Sequence, residues 1–238
     1  MLATGNFNEK TARVYADHAL MTADPRLTEE VRRVFRLLCG EDVQPDFEHL
    51  LVAPHHLRDR FNALIDAETE AARQGRPSGI TAKMNSLQDR GIIDKLYDAS
   101  AAGVPVRLII RGICCLRPGV EGLSDSIEVT SIVDRFLEHS RIFVFHADGA
   151  ERLYLSSADW MTRNLNRRVE VTFPIYDPDV RKELRHVLDL QCADNTKARI
   201  IDEHQRNRFV QEIDGATTRS QFDTYRYLRE LLADHPGS

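Results

Sequence analysis

The strongest constraint on the fold is a strand–helix–strand series between residues 79 and 112. The segment GITAKMNS (79–86) predicts a strand, LQDRGIIDKLYDASAAG (87–103) a helix, and VPVRLIIRG (104–112) a second, apolar strand. A unit of this length joins two parallel strands by a right-handed crossover, because antiparallel strands need only a short hairpin. The chain is therefore expected to form an α/β fold around this pair.

Hydrophobic periodicity and turn residues predict the remaining elements. Strands are predicted over 49–54, 127–133, 141–147, 152–158 and 167–175. Helices are predicted over 26–39, 56–75, 177–191 and 219–238, the last one fraying at its end. Thr28 and Asp177 are expected as N-caps, Pro178 at the first helical position and Gly40 at the end of the first helix. The predicted fold class is α/β, a mixed β-sheet flanked by helices.

The composition limits which ligands and compartments fit the chain. Its 238 residues carry 29% charged side chains and a formal net charge of −5, so an anion site must be a local cluster of Arg and Lys. No apolar run reaches membrane-spanning length and no signal peptide is recognised, so a cytoplasmic location is expected. The four cysteines form no CxxC pair, which predicts reduced, mostly buried thiols, and we assign no metal ligands.

The segment LEHSRIF places His139 and Arg141 at the start of a predicted strand. Alternate residues of a strand share a face, so both side chains can point into one pocket. Imidazole can attack phosphorus and carry protons near neutral pH, and guanidinium can hold phosphate oxygens. A surface or capping histidine is the alternative interpretation. The next strand favours the catalytic one, because LYLSSADW ends in a small polar turn that is typical of a phospholipase D-like half-site.

The segment TGNFN (4–8) is a candidate phosphate-handling turn, with no strand expected ahead of it. Thr4 and Gly5 are small enough for backbone amides to approach an oxyanion, and Asn6 can orient a neighbouring side chain. Alone, the segment predicts a turn equally well. It resembles the small-residue end of the half-site pattern, as residues 157–159 do in the second half. The chain is thus expected to carry one and a half such motifs.

Arginines at strand ends predict a local anion site. Arg111 ends a buried strand in RGICCLRPG (111–119) and Arg117 follows the turn, where each can bind phosphate in bidentate fashion or pair with a carboxylate. Other arginines individually fit a solvated face: Arg135, Arg163, Arg167 and Arg168. Together with Arg111, Arg117 and Arg141 they predict a basic channel in an acidic protein.

These segments, in order and spacing, resemble the C-terminal part of the polyphosphate kinase family. The resemblance rests on TGNFNEKTARVYAD, TADP, KMNSL, LIIRGICCLRPG, IVDRFLEHSRIF and SSADWMTRNLNRRVEVTFPI, from near residue 1 to about residue 190. RGICCLRPG and FLEHSRI are the most specific of them. The resemblance implies a phospholipase D-like fold, with residues 1–45 a remnant of a first domain and residues 46–238 a second domain.

The family resemblance also implies a function and residue roles. It implies a phosphotransferase that uses ATP, magnesium and a phosphohistidine to make inorganic polyphosphate. His139 matches the second-half histidine that contacts the nucleotide phosphates and assists transfer. Arg111 matches an arginine at the ATP phosphates, and Tyr15 matches a tyrosine at the nucleotide site. Asn6 matches the end of the first half-site.

The same resemblance places the phosphorylated histidine on a His-x-Lys stretch ahead of residue 1, so the isolated chain is expected to be inactive. Two departures from the pattern are small. Ser156 stands where the family commonly has glycine, and His-x-Arg at residues 139–141 replaces the His-x-Lys of the wider superfamily, as is usual in this family.

Partners and alternatives follow from this interpretation. ATP, ADP and polyphosphate are the expected ligands, with homo-oligomers in the whole protein, no nucleic acid, and at most peripheral membrane association. A phospholipase D-like phosphodiesterase is one alternative, although it needs two complete His-x-Lys motifs at one site. A non-catalytic module that binds ATP or polyphosphate is the other.

Overall fold

The computed structural model describes residues 1–41, 46–211 and 215–234. The strands are β1 (Leu2–Ala3), β2 (Tyr15–Ala16), β3 (Ala19–Leu20), β4 (Leu51–Ala53), β5 (Ile80–Met84), β6 (Val106–Ile110), β7 (Ile127–Ile132), β8 (Leu137–Glu138), β9 (Arg141–Phe145), β10 (Arg152–Ser156), β11 (Glu170–Pro174) and β12 (Ala198–Ile200). The helices are α1 (Glu9–Ala12), α2 (Pro25–Leu38), α3 (Leu57–Arg73), α4 (Arg90–Ala101), α5 (Thr162–Asn166), α6 (Pro178–Cys192) and α7 (Ser220–Asp234), with a 3₁₀ turn at Ala147–Gly149.

The centre of the molecule is an eight-stranded mixed sheet in the order β12-β7-β6-β5-β9-β10-β11-β4. The predicted strand–helix–strand unit is confirmed, because β5 and β6 pair in parallel from Ile80↔Val106 to Met84↔Ile110 with α4 between them. Strand β7 adds a second parallel pair, and the other neighbours are antiparallel. The prediction of a mixed sheet flanked by helices is therefore correct.

Strand alternation divides the core between the two faces of the sheet. Along β9, Phe143 and Phe145 pack with α3 and α4, whereas Ile142 and Val144 pack with α2 and α6. On the first face, the ring centroid of Phe143 lies 4.9 Å from that of Trp160. Because both of its faces are buried, β9 is a central strand of a three-layer domain. Its first residues are therefore held rigidly where the strand begins.

Helix termini confirm one capping prediction and correct another. Asp177 caps α6, because its side chain accepts the backbone N–H groups of Asp179 and Val180. Thr28 does not cap α2. That helix begins one turn earlier, at Pro25, with the Asp24 side chain accepting the backbone N–H of Arg26 at 2.9 Å. A proline at the first helical position loses no hydrogen bond and extends the helix toward its amino end.

Short ladders organise the first twenty residues into two small sheets that are separate from the eight-stranded one. Strand β1 pairs with β3 in antiparallel fashion, and β2 pairs with β8 in parallel. The expectation of no strand ahead of residues 4–8 is thus wrong, since β1 precedes Thr4. Each of these strands has two residues, which is too short to produce a hydrophobic period in the sequence.

The cysteine prediction is correct on pairing and wrong on burial. All four cysteines are free, but Cys39 and Cys115 are exposed. Burial raises the pKa of the Cys114 and Cys192 thiols to about 11, so both are protonated near neutral pH. Cys39 is the C-cap residue of α2 and Cys115 lies in the loop after β6.

Two predictions reach residues outside the described ranges. The expected domain boundary follows residue 45, and residues 42–45 lie outside them. The expected fraying of the last helix concerns residues 235–238, which also lie outside them. Within the described ranges, no helix combines the length and apolar character needed to cross a bilayer.

Candidate functional site

A polar pocket of about 290 Å³ lies where the carboxyl ends of β5, β6 and β10 meet the amino ends of β9 and β11. Five of the predicted site residues line it: Asn6, Tyr15, Arg111, His139 and Arg141. The sheet order places β5, β9 and β10 side by side, and the ladder of β2 with β8 brings the first part of the chain, more than a hundred positions away, to the same edge. The pocket is the edge at which α/β proteins commonly bind ligands.

His139 is paired with a carboxylate from the first part of the chain. Its Nδ1 lies 2.9 Å and 3.0 Å from the two oxygens of Asp17. The parallel ladder of β2 and β8 creates this contact, since the backbone N–H of His139 donates to the carbonyl of Ala16 at 3.1 Å. An Nδ1–H donated to Asp17 leaves the lone pair of a neutral imidazole on Nε2.

The environment of Asp17 keeps its carboxylate ionised. Burial raises the pKa of Asp17, but hydrogen bonds from His139 and Thr4 and the charge of Arg141 outweigh burial and lower it below its ordinary value. The ring of Tyr15 lies against the imidazole, with centroids 4.6 Å apart. Carboxylate and phenol ring together hold His139 in one orientation.

Arg141 is a buried connector within the pocket wall. Its Nε and Nη2 donate to the two oxygens of Asp159 at 3.1 Å and 3.2 Å, and its Nη1 donates to the carbonyl of Thr4 at 2.7 Å. The Arg141 and Asp159 side chains are 8% and 9% exposed. Most of the N–H donors of Arg141 are thus used by protein groups. Arg141 therefore acts on the pocket mainly through its positive charge and less through hydrogen bonds to a ligand.

Arg111 emerges from the end of β6 beside the end of β5. Its Nε donates to the side-chain oxygen of Asn85 at 2.9 Å. Asn85 is itself held, because its backbone N–H donates to Asp159 at 2.8 Å. The two parallel strands therefore deliver a guanidinium that a buried amide orients toward the same wall as Arg141.

A second carboxylate, Glu170, lines the pocket at the start of β11. Its Oε2 accepts the hydroxyl of Ser157 at 2.5 Å and its Oε1 accepts the side-chain N–H of Asn164 at 2.6 Å. Arg168 lies 4.0 Å from the same carboxylate. Hydrogen bonds to both oxygens fix the position of the carboxylate.

The structure does not bring Arg117 into this pocket. Beyond Gly112 the chain turns away to bridge Leu87 through Cys114, and the backbone N–H of Arg117 donates to the Tyr97 hydroxyl on α4. Arg117 instead lines a separate groove with residues 200–203. Among the other arginines of the expected channel, Arg163 and Arg168 line the pocket and Arg135 and Arg167 do not.

Sequence reasoning missed several residues that shape the site: Asp17, Asn85, Asn164 and Glu170. Asn85 had a usable signal, since it directly follows the carboxyl end of a predicted parallel strand next to Arg111. Asp17 and Glu170 had none within a local window. The partner of Asp17 lies 122 residues away in the sequence, and an isolated Asp or Glu is most often a surface residue.

The described residues contain no group of three or more His, Cys, Asp or Glu side chains arranged to hold a metal ion. The pocket carboxylates each accept hydrogen bonds from protein donors: Asp17 from His139 and Thr4, Asp159 from Arg141 and Asn85, and Glu170 from Ser157 and Asn164.

Fold and site together define a class: an α/β domain whose mixed sheet ends in a pocket lined by histidine, arginines and hydrogen-bonded carboxylates. Family models make the identity more specific. The model described as polyphosphate kinase C-terminal domain 2 matches residues 50–221, and the one described as polyphosphate kinase C-terminal domain 1 matches residues 1–44. The chain belongs to the polyphosphate kinase family, which confirms the resemblance drawn from its motifs.

Individual relatives agree with this assignment. Polyphosphate kinase of Escherichia coli (strain K12) is 46% identical over 230 residues, which are 97% of this chain and 33% of the relative. Polyphosphate kinase of Klebsiella pneumoniae is 47% identical and covers 97% of this chain and 34% of the relative. The crystal structure of polyphosphate kinase from Porphyromonas gingivalis superposes with a TM-score of 0.95 at 44% identity, over 98% of this chain and 36% of that one. The chain thus spans about a third of the length of the relatives it matches.

Proposed function

We propose that this chain supplies half of the active site of a polyphosphate kinase, which passes the terminal phosphate of ATP through a phosphohistidine to a growing polyphosphate chain, reversibly. The observation that carries the proposal is the Asp17–His139 pair, set beside Arg111 and Arg141 in one pocket of a polyphosphate kinase family member. Imidazole and guanidinium groups at strand ends suit phosphoryl transfer, in which positioning and charge neutralisation supply most of the catalysis.

The proposed roles follow from the contacts of each side chain. His139 contacts the nucleotide phosphates and assists transfer through Nε2, because Nδ1–H is committed to Asp17. Arg111 binds phosphate oxygens through its terminal amino groups, since Asn85 takes only the Nε–H. Arg141 acts mainly through its charge. Tyr15 and Asn6 line the same pocket and are proposed to border the nucleotide.

Transfer is proposed in two steps. An imidazole nitrogen attacks the γ-phosphorus of ATP, the nitrogen–phosphorus bond forms, and the bond to the bridging oxygen breaks so that its electron pair leaves with ADP. A terminal oxygen of polyphosphate then attacks the same phosphorus and the imidazole leaves. No described histidine other than His139 lines the pocket. On the family resemblance, we assign the phosphorylated histidine to a His-x-Lys stretch outside this chain and keep His139 as the assisting residue, so the isolated chain is proposed to be inactive.

Magnesium fits this site as an ion that arrives with ATP. The pocket carboxylates already accept protein hydrogen bonds, and Mg²⁺ commonly binds through substrate phosphates with few protein ligands. Bound in this way, the ion neutralises charge on the transferring phosphate. Cytoplasmic location, homo-oligomers in the whole protein and at most peripheral membrane contact complete the proposal.

Calorimetric titration of the chain with Mg·ATP and with polyphosphate tests the nucleotide site. Arg111→Ala should weaken phosphate binding by about 10- to 100-fold, because a hydrogen bond to a charged group contributes about 1.5–3 kcal/mol. Arg117→Ala is the matched control, since that arginine lies outside the pocket, and should stay within about twofold. Equal losses in both variants, or no binding of either ligand by the unmodified chain, would contradict the proposal.

Incubation with γ-labelled ATP tests the second part. We expect neither labelled polyphosphate nor an acid-labile phosphohistidine on the isolated chain. Label that disappears in His139→Ala would make His139 the acceptor and overturn the assignment of roles. Binding without any transfer, even when a polypeptide carrying the His-x-Lys stretch is added, would favour the non-catalytic module.

A further inference from the structure

The hydroxyl of Thr4 both donates and accepts a hydrogen bond beside Asp17. Thr4 is fully buried, and its Oγ1 donates to Oδ1 of Asp17 at 2.8 Å. The same oxygen accepts the backbone N–H of His18 at 3.0 Å, and the backbone N–H of Thr4 donates to the carbonyl of His18 at 2.9 Å. The residue that follows β1 is therefore tied both to the Asp17 carboxylate and to the backbone of the residue after it.

Gly5 makes room for the same carboxylate. A Cβ atom placed at Gly5 would lie 2.1 Å from Oδ2 and 2.3 Å from Cγ of Asp17, far inside van der Waals contact. Any side chain at this position would push the carboxylate out of its place. The backbone of Gly5 is not in the left-handed region, so the requirement for glycine here comes from this close approach and not from its φ angle.

Both constraints act on the atom group that orients His139. Oδ1 of Asp17 receives the Thr4 hydroxyl and lies 2.9 Å from Nδ1 of the imidazole, while Oδ2 lies 3.0 Å from the same nitrogen. Without the hydroxyl, the carboxylate can rotate about its Cβ–Cγ bond. With a methyl group at position 5, it must move.

We propose that Thr4 and Gly5 are positioning residues of the transfer site, which hold Asp17 so that His139 keeps its Nδ1–H tautomer. The role of residues 4 and 5 is then indirect: they act on the imidazole through Asp17 and do not themselves receive phosphate. The inference rests on the proposed function for its catalytic meaning. The geometry and its test need no nucleotide.

The test is ¹⁵N NMR of the imidazole nitrogens in the histidine-labelled chain, assigned with His139→Gln. In the unmodified chain His139 should show a protonated Nδ1 and an unprotonated Nε2 in its neutral form. Thr4→Val should lose that tautomer preference, Thr4→Ser should retain it because the hydroxyl is kept, and Gly5→Ala should lose it by displacing the carboxylate. Ser157→Ala is the matched control, since it removes the equivalent hydroxyl beside Glu170 and should leave His139 unchanged.

A second readout follows Asp17 itself by ¹³C titration of its carboxyl carbon. The Thr4 hydrogen bond is one of the contacts that lower the pKa of Asp17, so Thr4→Val should move its midpoint to higher pH and Ser157→Ala should not. An unmodified chain with the Nε2–H tautomer, or unchanged spectra in Thr4→Val and Gly5→Ala, would overturn the inference. If Thr4→Val does not fold, Gly5→Ala and Thr4→Ser decide the matter. Failed ATP binding with these spectra intact would instead contradict only the proposed function.

Discussion

Two corners of the pocket are built on the same local plan. The first corner consists of Thr4, Gly5, Asp17 and His18, and the second of Ser157, Ala158, Glu170 and Val171. In each, a hydroxyl at a strand end donates to a carboxylate 13 residues later. The same hydroxyl oxygen accepts the backbone N–H of the residue that follows this carboxylate, at 3.0 Å in the first corner and 3.1 Å in the second.

The corners differ in what their carboxylates meet. Asp17 meets the imidazole of His139, whereas Glu170 meets the amide of Asn164. No described imidazole forms a hydrogen bond or ion pair with Glu170. In both corners, the hydroxyl and the backbone N–H contacts only fix the position of a carboxylate. The chemistry of each corner is decided by the group that the fold places opposite it.

The largest expected effect comes from breaking the link between the corners. Arg141 contacts the Thr4 carbonyl in the first corner and Asp159 next to the second. Asp159→Ala leaves a buried guanidinium uncompensated and should lower the free energy of unfolding by about 3–5 kcal/mol. Urea denaturation measures it.

The control for that prediction is Arg76→Ala, which breaks an exposed pair with Asp148 whose side chains are 42% and 48% exposed. It should cost less than about 1 kcal/mol. Equal effects of the two substitutions would mean that Arg141 does not join the corners.

The second prediction uses position 18, where the second corner has Val171. Burial, followed by the charge of Lys83, lowers the pKa of His18 from 6.5 to about 4, and its Nδ1 is buried with no hydrogen-bond partner among the described residues. Below pH 6.5 the unfolded chain binds a proton that the folded chain does not. Stability should therefore fall by about 2–3 kcal/mol from pH 6.5 to pH 4, at about 1.4 kcal/mol per pH unit.

His18→Val should remove most of this slope, as measured by urea denaturation at several pH values. Loss of the depressed Asp17 carboxylate adds to acid destabilisation only at lower pH, as protonation approaches its folded-state pKa. If the dependence of stability on pH is unchanged in His18→Val, protonation of His18 does not distinguish the stability of the two corners.

The third prediction concerns the hydroxyl of the second corner. Ser157→Ala leaves an oxygen of Glu170 and the backbone N–H of Val171 without that partner, and should cost about 1–2 kcal/mol of unfolding free energy. Ser157→Thr supplies the hydroxyl residue of the first corner and should recover most of the loss. Thermal denaturation of the two variants measures the difference. If Ser157→Ala loses no stability, the hydroxyl–carboxylate contact of the second corner does not contribute to the free energy of unfolding.

The smallest expected effect is at the rim beside the second corner. Arg163 is exposed and lines the pocket, so Arg163→Ala should leave the free energy of unfolding within about 0.5 kcal/mol. Polyphosphate affinity should fall about two- to fivefold, with a weaker salt dependence. Arg167→Ala, outside the pocket, should affect binding less. The reverse order in calorimetric titrations at two salt concentrations would remove Arg163 from the proposed channel.

Local rules predicted the parts of the site that lie within one element. Strand alternation predicted that His139 and Arg141 share a pocket, and both line it. The end of a parallel strand predicted the position of Arg111. The same rule failed for Arg117, because the chain between residues 112 and 117 follows bridges to Leu87 and Tyr97 that the local sequence does not reveal.

The sequence by itself determined the mixed sheet, its parallel pair and the family, since periodicity, turn residues and motif order act over short stretches of chain. Only the tertiary structure decided the partners: Asp17 and His139 are 122 residues apart, and Arg141 and Thr4 are 137 apart. Residues 4–8 illustrate the division. Their sequence predicted either a plain turn or a phosphate-handling turn, and only the fold reveals that Thr4 and Gly5 also pack against the Asp17 carboxylate. The physical reason is that a hydrogen bond between distant segments depends on strand order and on ladders of two residues, and neither produces a periodic signal in the sequence.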